Sequence, residues 1–158
     1  MSASSIIVSD THGVTHVIEY IKTLLNDSDV LIHLGDNIND VKLLSESFKG
    51  KVYSVVGNCD YERNGQVEQV IEIEGKKFLI THGHKYTVKY GLDKIYYRGL
   101  ELGVDGVIFG HTHRKVALKE GNMWIINPGS PSIPKDGEAS IAFMNVDSEN
   151  IEVRFFSI

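Results

Sequence analysis

Five short apolar-rich runs in this chain all stop in the same manner. The run at 6–8 leads into Ser9-Asp10-Thr11-His12-Gly13, that at 30–34 into Gly35-Asp36-Asn37, and that at 52–56 into Gly57-Asn58-Cys59-Asp60. The run at 76–81 leads into His82-Gly83-His84, and that at 106–109 into Gly110-His111-Thr112-His113. Runs this short, rich in Val and Ile and closed by Gly, Asp or Asn, read as strands. Each strand therefore ends on a short oxygen or nitrogen donor beside a glycine. In α/β sheets that rim is where ligands bind, and a glycine there lets backbones approach a shared centre.

The segments between these runs complete the fold. Apolar residues at 14, 17, 18, 21, 24 and 25 mark one face of a helix, which the polar stretch at 26–29 stops. A short helical piece follows at 41–48. Strands at 67–74 and 76–81 flank a tight turn at Glu74-Gly75. A second helix spans 92–102, with Gly103 placed as its C-terminal stop. Two further hairpins follow, at 116–119 with 123–126 around Gly121-Asn122, and at 139–146 with 151–156. Strand–helix–strand units followed by hairpins predict an α/β chain of α+β type. Its expected form is a sandwich of two mixed β-sheets flanked by helices, which buries both apolar faces of each sheet. The 158 residues show no internal repeat and no low-complexity linker, so residues 1–158 are expected to form one domain.

Composition narrows the partners. Sixteen basic against twenty-one acidic residues give a net charge of −5, unsuited to long nucleic acid, whose phosphate backbone calls for a basic surface. A small phosphate compound held locally is still allowed, and a homo-oligomer is left open. Cys59 is the only cysteine, so no intrachain disulfide can form and a reducing compartment is expected. No stretch approaches the length of a membrane span, and the first residues lack a signal-peptide pattern. A cytoplasmic protein without membrane contact is the expectation.

Seven residues at the strand ends form the candidate set: Asp10, His12, Asp36, Asn58, His82, His111 and His113. All offer oxygen or imidazole donors, a mixture that divalent first-row metals accept, whereas a structural zinc finger calls for thiolates. One ion would be over-supplied by seven donors, while two ions sharing a carboxylate would use them well, and Asp36 is the natural bridge. In an extended segment residues two apart point the same way, so His111 and His113 are expected to face the same metal pair. Any one of these histidines alone is more often a hydrogen-bonded structural residue, as is expected of His33 within its strand and His16 on the helix. His84 is expected either to touch substrate or to orient His82. The loop 127–130, Asn-Pro-Gly-Ser, reads as a turn near the site.

The ordered set SDTHG, HLGDN, VVGNCD, THGH and IFGHTH, with the tail WIINPGSPSIP, resembles the calcineurin-like metallophosphoesterase family. The likeness runs from about Ile6 to about Pro134 and is nearest to the family's small phosphodiesterase branch. It implies a sandwich of two sheets flanked by helices. It implies one metal site from Asp10, His12, Asp36 and His113, and a second from Asp36, Asn58, His82 and His111. The implied cofactors are two divalent ions, with manganese foremost and nickel, iron or zinc also compatible. The implied activity is hydrolysis of small phosphodiesters by a hydroxide bridging the two ions, with Asn58, Asp36 and His82 the catalytic residues.

One departure matters. Many family members carry a histidine directly after the asparagine, thought to protonate the leaving oxygen, and here that place is Cys59. The small phosphodiesterase branch often has cysteine there. A neutral thiol is a poor general acid, and losing such help costs on the order of 10²–10⁴ in rate. Cys59 is expected to be an inert packed residue, and Asp60 to orient a neighbour. Two rival functions stand beside the phosphodiesterase. One is a non-catalytic interaction scaffold, as in the retromer subunit that resembles this family. The other is a phosphomonoesterase or nucleotidase.

Overall fold

Alternate residues of the short strands turn opposite ways, and this sets the layers of the molecule. The computed structural model describes residues 1–61 and 65–158. In β1 (Ser2–Val8), Ile6 and Val8 face outward with Leu31 of β2 (Val30–His33), while Ile7 and Ile32 face inward. The outward set packs on Val17, Ile18 and Ile21 of α1 (Thr15–Leu24) and on Leu44 of α2 (Asp40–Ser45). The inward set meets Phe78 and Ile80 of β5 (Lys76–Thr81), Ile108 of β6 (Gly106–Ile108) and Ile126 of β8 (Met123–Pro128). Leu79, Val107 and Ile125 turn the other way, toward Ile95 of α3 (Asp93–Leu102). Each such fully buried aliphatic side chain contributes about 1.5–3 kcal/mol. The sandwich of two mixed sheets with outer helices is therefore the observed fold.

The first sheet has the order β10–β9–β1–β2–β3, with β3 at Lys51–Ser54, β9 at Ser140–Asp147 and β10 at Ile151–Ser157. The second has the order β4–β5–β6–β8–β7, with β4 at Glu68–Ile73 and β7 at Lys115–Glu120. Strands β1, β2 and β3 run parallel to one another, as do β5, β6 and β8. Hairpin partners form three of the four outer edges, and β3 forms the fourth.

Boundaries differ from expectation for local reasons. β1 reaches back to Ser2 because the polar stretch pairs with β9, Ser2 opposite Asp147 and Ser5 opposite Met144. α1 starts one residue late, with Val14 extended, and its last expected turn tightens into a 3₁₀ turn at Leu25–Asp27. β3 ends at Ser54, since the Val56 N–H turns away to the carbonyl of Gln66. Gly103 does close α3, in the left-handed conformation, with its N–H on the carbonyls of Gly99 and Leu100. Glu74 and Gly75, both at positive φ, form the two-residue hairpin turn between β4 and β5.

The carboxyl ends of the two parallel sets meet at one rim of the sandwich. The Asp10 N–H bonds the carbonyl of Gly35 at 2.9 Å, and the Gly110 N–H bonds that of His82 at 2.9 Å. Across the sheets, His82 Nδ1 lies 2.7 Å from the carbonyl of Leu34. Among the described residues no helix is long and apolar enough to cross a membrane.

Candidate metal centre

Asp10 leaves β1 with its carboxylate buried and held on one side only. Its Oδ2 accepts hydrogen bonds from the Ser9 hydroxyl at 2.6 Å and from the His111 N–H at 3.0 Å. Its Oδ1 is buried and accepts none. His113 Nε2 lies 3.1 Å from that oxygen and His82 Nε2 lies 3.8 Å from it, so both rings crowd the same point. Burial by itself would raise the Asp10 carboxyl. His113, His82 and the Ser9 hydroxyl outweigh it and hold the group well below the usual carboxylate range.

Asp36, leaving β2, straddles the rim. Its Oδ1 lies 3.4 Å from His82 Nε2 and its Oδ2 lies 3.7 Å from His12 Nε2. The Cys59 N–H donates to Oδ1 at 3.0 Å and fixes the carboxylate's rotation. The six Asp and His candidates fall into two groups that share Asp36. One is Asp10, His12, Asp36 and His113, the other Asp36, His82 and His111, with ligand atoms within 4.8 Å of one another in each. Asn58 lies on the loop whose Gly57 and Cys59 both abut Asp36. Its own side chain is exposed, with the amide Nδ2 3.7 Å from the Cys59 sulfur.

Backbone carbonyls orient two of the rings. His82 Nδ1–H donates to the Leu34 carbonyl at 2.7 Å, and His113 Nδ1–H donates to the Ile133 carbonyl at 2.6 Å. Each bond fixes the tautomer and leaves the Nε2 lone pair facing the centre. His82 Nε2 and His111 Nδ1 stand 3.1 Å apart. Burial, then the charges of His82 and Lys89, push His111 down to about 4, so it is neutral at pH 7 with a lone pair available. The Asp10 carboxylate holds His113 above its ordinary value against the effect of burial. The buried His12 Nε2 has no hydrogen-bond partner. Oxygen and imidazole donors that converge yet leave Asp10 Oδ1 and His12 Nε2 unpaired fit divalent cations, because an unpaired buried polar atom is otherwise costly.

The extended geometry expected of 111–113 is not what the structure shows. His111 (φ 70°) and His113 (φ 59°) are left-handed, and the Thr112 N–H folds back to the Gly110 carbonyl at 2.8 Å. The two rings reach different groups because the chain turns sharply between them, not because they share a strand face. Asp10, His12 and Asp36 are left-handed as well, with φ between 50° and 58°. Such conformations in non-glycine residues cost on the order of 1–2 kcal/mol each and gather at functional sites.

Residues outside the candidate set hold these loops. Asp60 accepts four backbone N–H bonds: Asn37 (2.8 Å) and Ile38 (2.7 Å) on Oδ1, Asp36 (3.0 Å) and Gly57 (2.7 Å) on Oδ2. Buried Asn127 donates to the Gly110 carbonyl and to the Thr112 hydroxyl, each at 3.0 Å. Ser130 donates to the Asp10 carbonyl at 2.8 Å. The loop 127–130 thus braces the loops that carry Asp10 and His111 and is more than a nearby turn. Thr11, between Asp10 and His12, is fixed by a buried chain. Gly35 N–H donates to His33 Nδ1 at 3.2 Å, His33 Nε2–H to the Thr11 hydroxyl at 3.0 Å, and that hydroxyl to Asp40 at 2.6 Å.

Two expectations change. His84 does not orient His82, whose Nδ1 is held by Leu34. It stands 5.5 Å from the His82 ring and 6.1 Å from that of His111, with its Nδ1 buried and unpartnered. Cys59 is exposed and not packed, and its thiol is raised by partial burial and by the charge of Asp36.

Known proteins resemble this chain along nearly its whole length. The family profile described as the calcineurin-like phosphoesterase superfamily domain matches residues 4–149. YsnB of Bacillus subtilis, a probable metallophosphoesterase, is 33% identical over 154 residues, covering 96% of this chain and 89% of its own. The solved structure of an archaeal phosphodiesterase aligns with a TM-score of 0.81 at 27% identity, over 98% of this chain and 99% of that one. The structure of a single mutant of Vps29 from Entamoeba histolytica aligns at 0.79 over 98% and 99% of the two chains, but at 18% identity, a likeness of fold alone. With nearly its whole length matched, this chain belongs to the calcineurin-like phosphoesterase superfamily.

Proposed function

We propose that this chain is a metal-dependent phosphodiesterase acting on small phosphodiesters, with two divalent cations, manganese foremost, held at the rim. Asp10, His12, Asp36 and His113 would hold one, and Asp36, Asn58, His82 and His111 the other. The observation that carries this reading is the pair of buried, unpartnered ligand atoms, Asp10 Oδ1 and His12 Nε2, within two donor groups that share Asp36. When bound, two divalent cations neutralise phosphate oxygens and lower the pKa of an attacking water. The chain's part is placement. Asp36 spans the two groups, Leu34 and Ile133 aim the His82 and His113 rings, and Asp60 locks the Asp36 loop to the Asn58 loop.

Cys59 shapes the choice of ester. Partial burial and the Asp36 carboxylate raise its thiol above the ordinary value. A neutral thiol gives little help to a poor leaving group, so esters whose alcohol departs readily are favoured. A net charge of −5 favours small diesters over nucleic acid. Metal binding alone does not separate this reading from a Vps29-like scaffold, since a Vps29 of similar fold has been solved with zinc; turnover does.

The test is hydrolysis of bis(p-nitrophenyl) phosphate by metal-stripped protein with and without added manganese, with metal content measured in parallel. Manganese-dependent turnover that disappears in Asp36→Ala, together with loss of bound metal, is the expected result. Turnover by Asp36→Ala at wild-type metal content refutes the bridging role. Absence of turnover by fully loaded wild type refutes the phosphodiesterase.

A further inference from the structure

On the α3 side of the second sheet, next to the centre, lies a cavity of about 330 Å³. Its floor is apolar, made by Val88, Leu92, Phe109 and Val116, and its rim carries Lys89, Arg114 and Lys135. No carboxylate is among the lining residues described. Among the described residues only Lys22, Arg98 and Lys115 of the basic side chains other than histidine form ion pairs, so these three cations, like most others of the chain, are free. In a chain of net charge −5, three unpaired cations around one cavity are a local reversal of field.

The cavity adjoins the metal centre. Thr112, which lines it, stands between His111 and His113, and the Lys135 N–H bonds the His113 carbonyl at 2.9 Å. The charge of Lys89 reaches the His111 ring, and that of Lys135 reaches the His113 ring. Asn127 anchors this wall through its bond to the Thr112 hydroxyl. Two cations held at the centre would neutralise a phosphate there, leaving the three rim charges without work to do on it.

We propose that this cavity is the subsite for one ester substituent of the diester, and that it selects a ring-sized apolar group carrying a second negative charge. The proposal rests on the phosphodiesterase reading above. The volume is at the lower end of small-molecule pockets and suits one substituent, not an extended ligand. The floor supplies apolar contact, and the rim pairs with the second anion.

Two measurements test it. The first compares two diesters with the same p-nitrophenolate leaving group, one retaining phenyl and one retaining 4-carboxyphenyl, on manganese-loaded protein. The three exposed cations together favour the carboxylate-bearing ester by about tenfold in kcat/KM. In the combined variant Lys89→Ala, Arg114→Ala, Lys135→Ala that ratio collapses toward one. An equal ratio in wild type and variant overturns the proposal. The second is binding of 1-naphthyl phosphate to metal-free protein by NMR, where Asp10 and Asp36 repel the phosphate from the centre. Shifts confined to the amides of Thr112, Arg114 and Val116, weakened about tenfold in the variant, are expected. No shift there, or equal affinity in the variant, overturns it. Hydrolysis of neither diester refutes the phosphodiesterase itself, and the subsite is then decided by the binding result.

Discussion

Asp60→Asn isolates the bond network that ties the two central loops together. The carboxylate accepts four backbone N–H bonds, two on each oxygen, from Asn37, Ile38, Asp36 and Gly57. Asparagine keeps one acceptor oxygen and turns the other into an NH₂ that meets two N–H donors head-on. Two charge-assisted bonds are lost, each worth about 1.5–3 kcal/mol, so the variant is destabilised by about 3–6 kcal/mol. Against a typical total stability of about 5–15 kcal/mol this is a large share. Whichever oxygen the amide replaces, the loop loses either the Asn37–Ile38 pair or the Asp36–Gly57 pair. Manganese affinity falls along with stability, because fewer bonds tie the Asp36 loop to the Asn58 loop. Urea unfolding of the metal-free protein measures the first effect and metal titration the second. A midpoint shift worth less than about 1 kcal/mol, at unchanged slope, would show that water replaces the carboxylate and that Asp60 is not the lock.

Two other outcomes follow from the same rim. His33 is fully buried, and burial, opposed by Asp40, brings it down to about 4 from an ordinary 6.5. Between those values the unfolded chain takes up a proton at this position and the folded chain does not, so stability present above pH 6.5 falls as the pH drops toward 4. The loss is about 3 kcal/mol, and urea unfolding of metal-free wild type against His33→Gln across that range reads it as a difference in slope. Equal slopes would mean that His33 charges within the fold. Gly110→Ala places a Cβ on the Ser9 hydroxyl and 2.8 Å from Asp10 Oδ2. It costs about 1–3 kcal/mol and lowers metal binding, whereas wild-type metal content at wild-type stability would show that the β1 and β6 loops can part without loss.

The candidate donors were legible because each follows an apolar run directly, and the run predicts both the strand and where it ends. Asp, Asn and His are also the residues that best tolerate the left-handed conformation. The turn that aims each side chain is therefore hidden in the same letters that supply the donor, and Asp10, His12, Asp36, His111 and His113 all adopt it. Nothing in the spelling of 111–113 distinguishes that turn from an extended segment, so the pair was expected on one face. The braces were less legible still. Asp40 opens a short helix, where a carboxylate is favoured in any case, and only the fold shows it holding Thr11. Ser130 reaches the Asp10 carbonyl across 120 residues, and the Asp10 carboxylate reaches the His111 N–H across 101. A backbone N–H or carbonyl accepts a partner from anywhere in the chain, so such bonds leave no periodicity behind. Asp60 and Asn127 did sit in recognisable company, beside Gly-Asn-Cys and in Asn-Pro-Gly-Ser. Their role follows from need: loops turned into an unfavourable conformation stay there only if their polar backbone groups are claimed, and these side chains claim them.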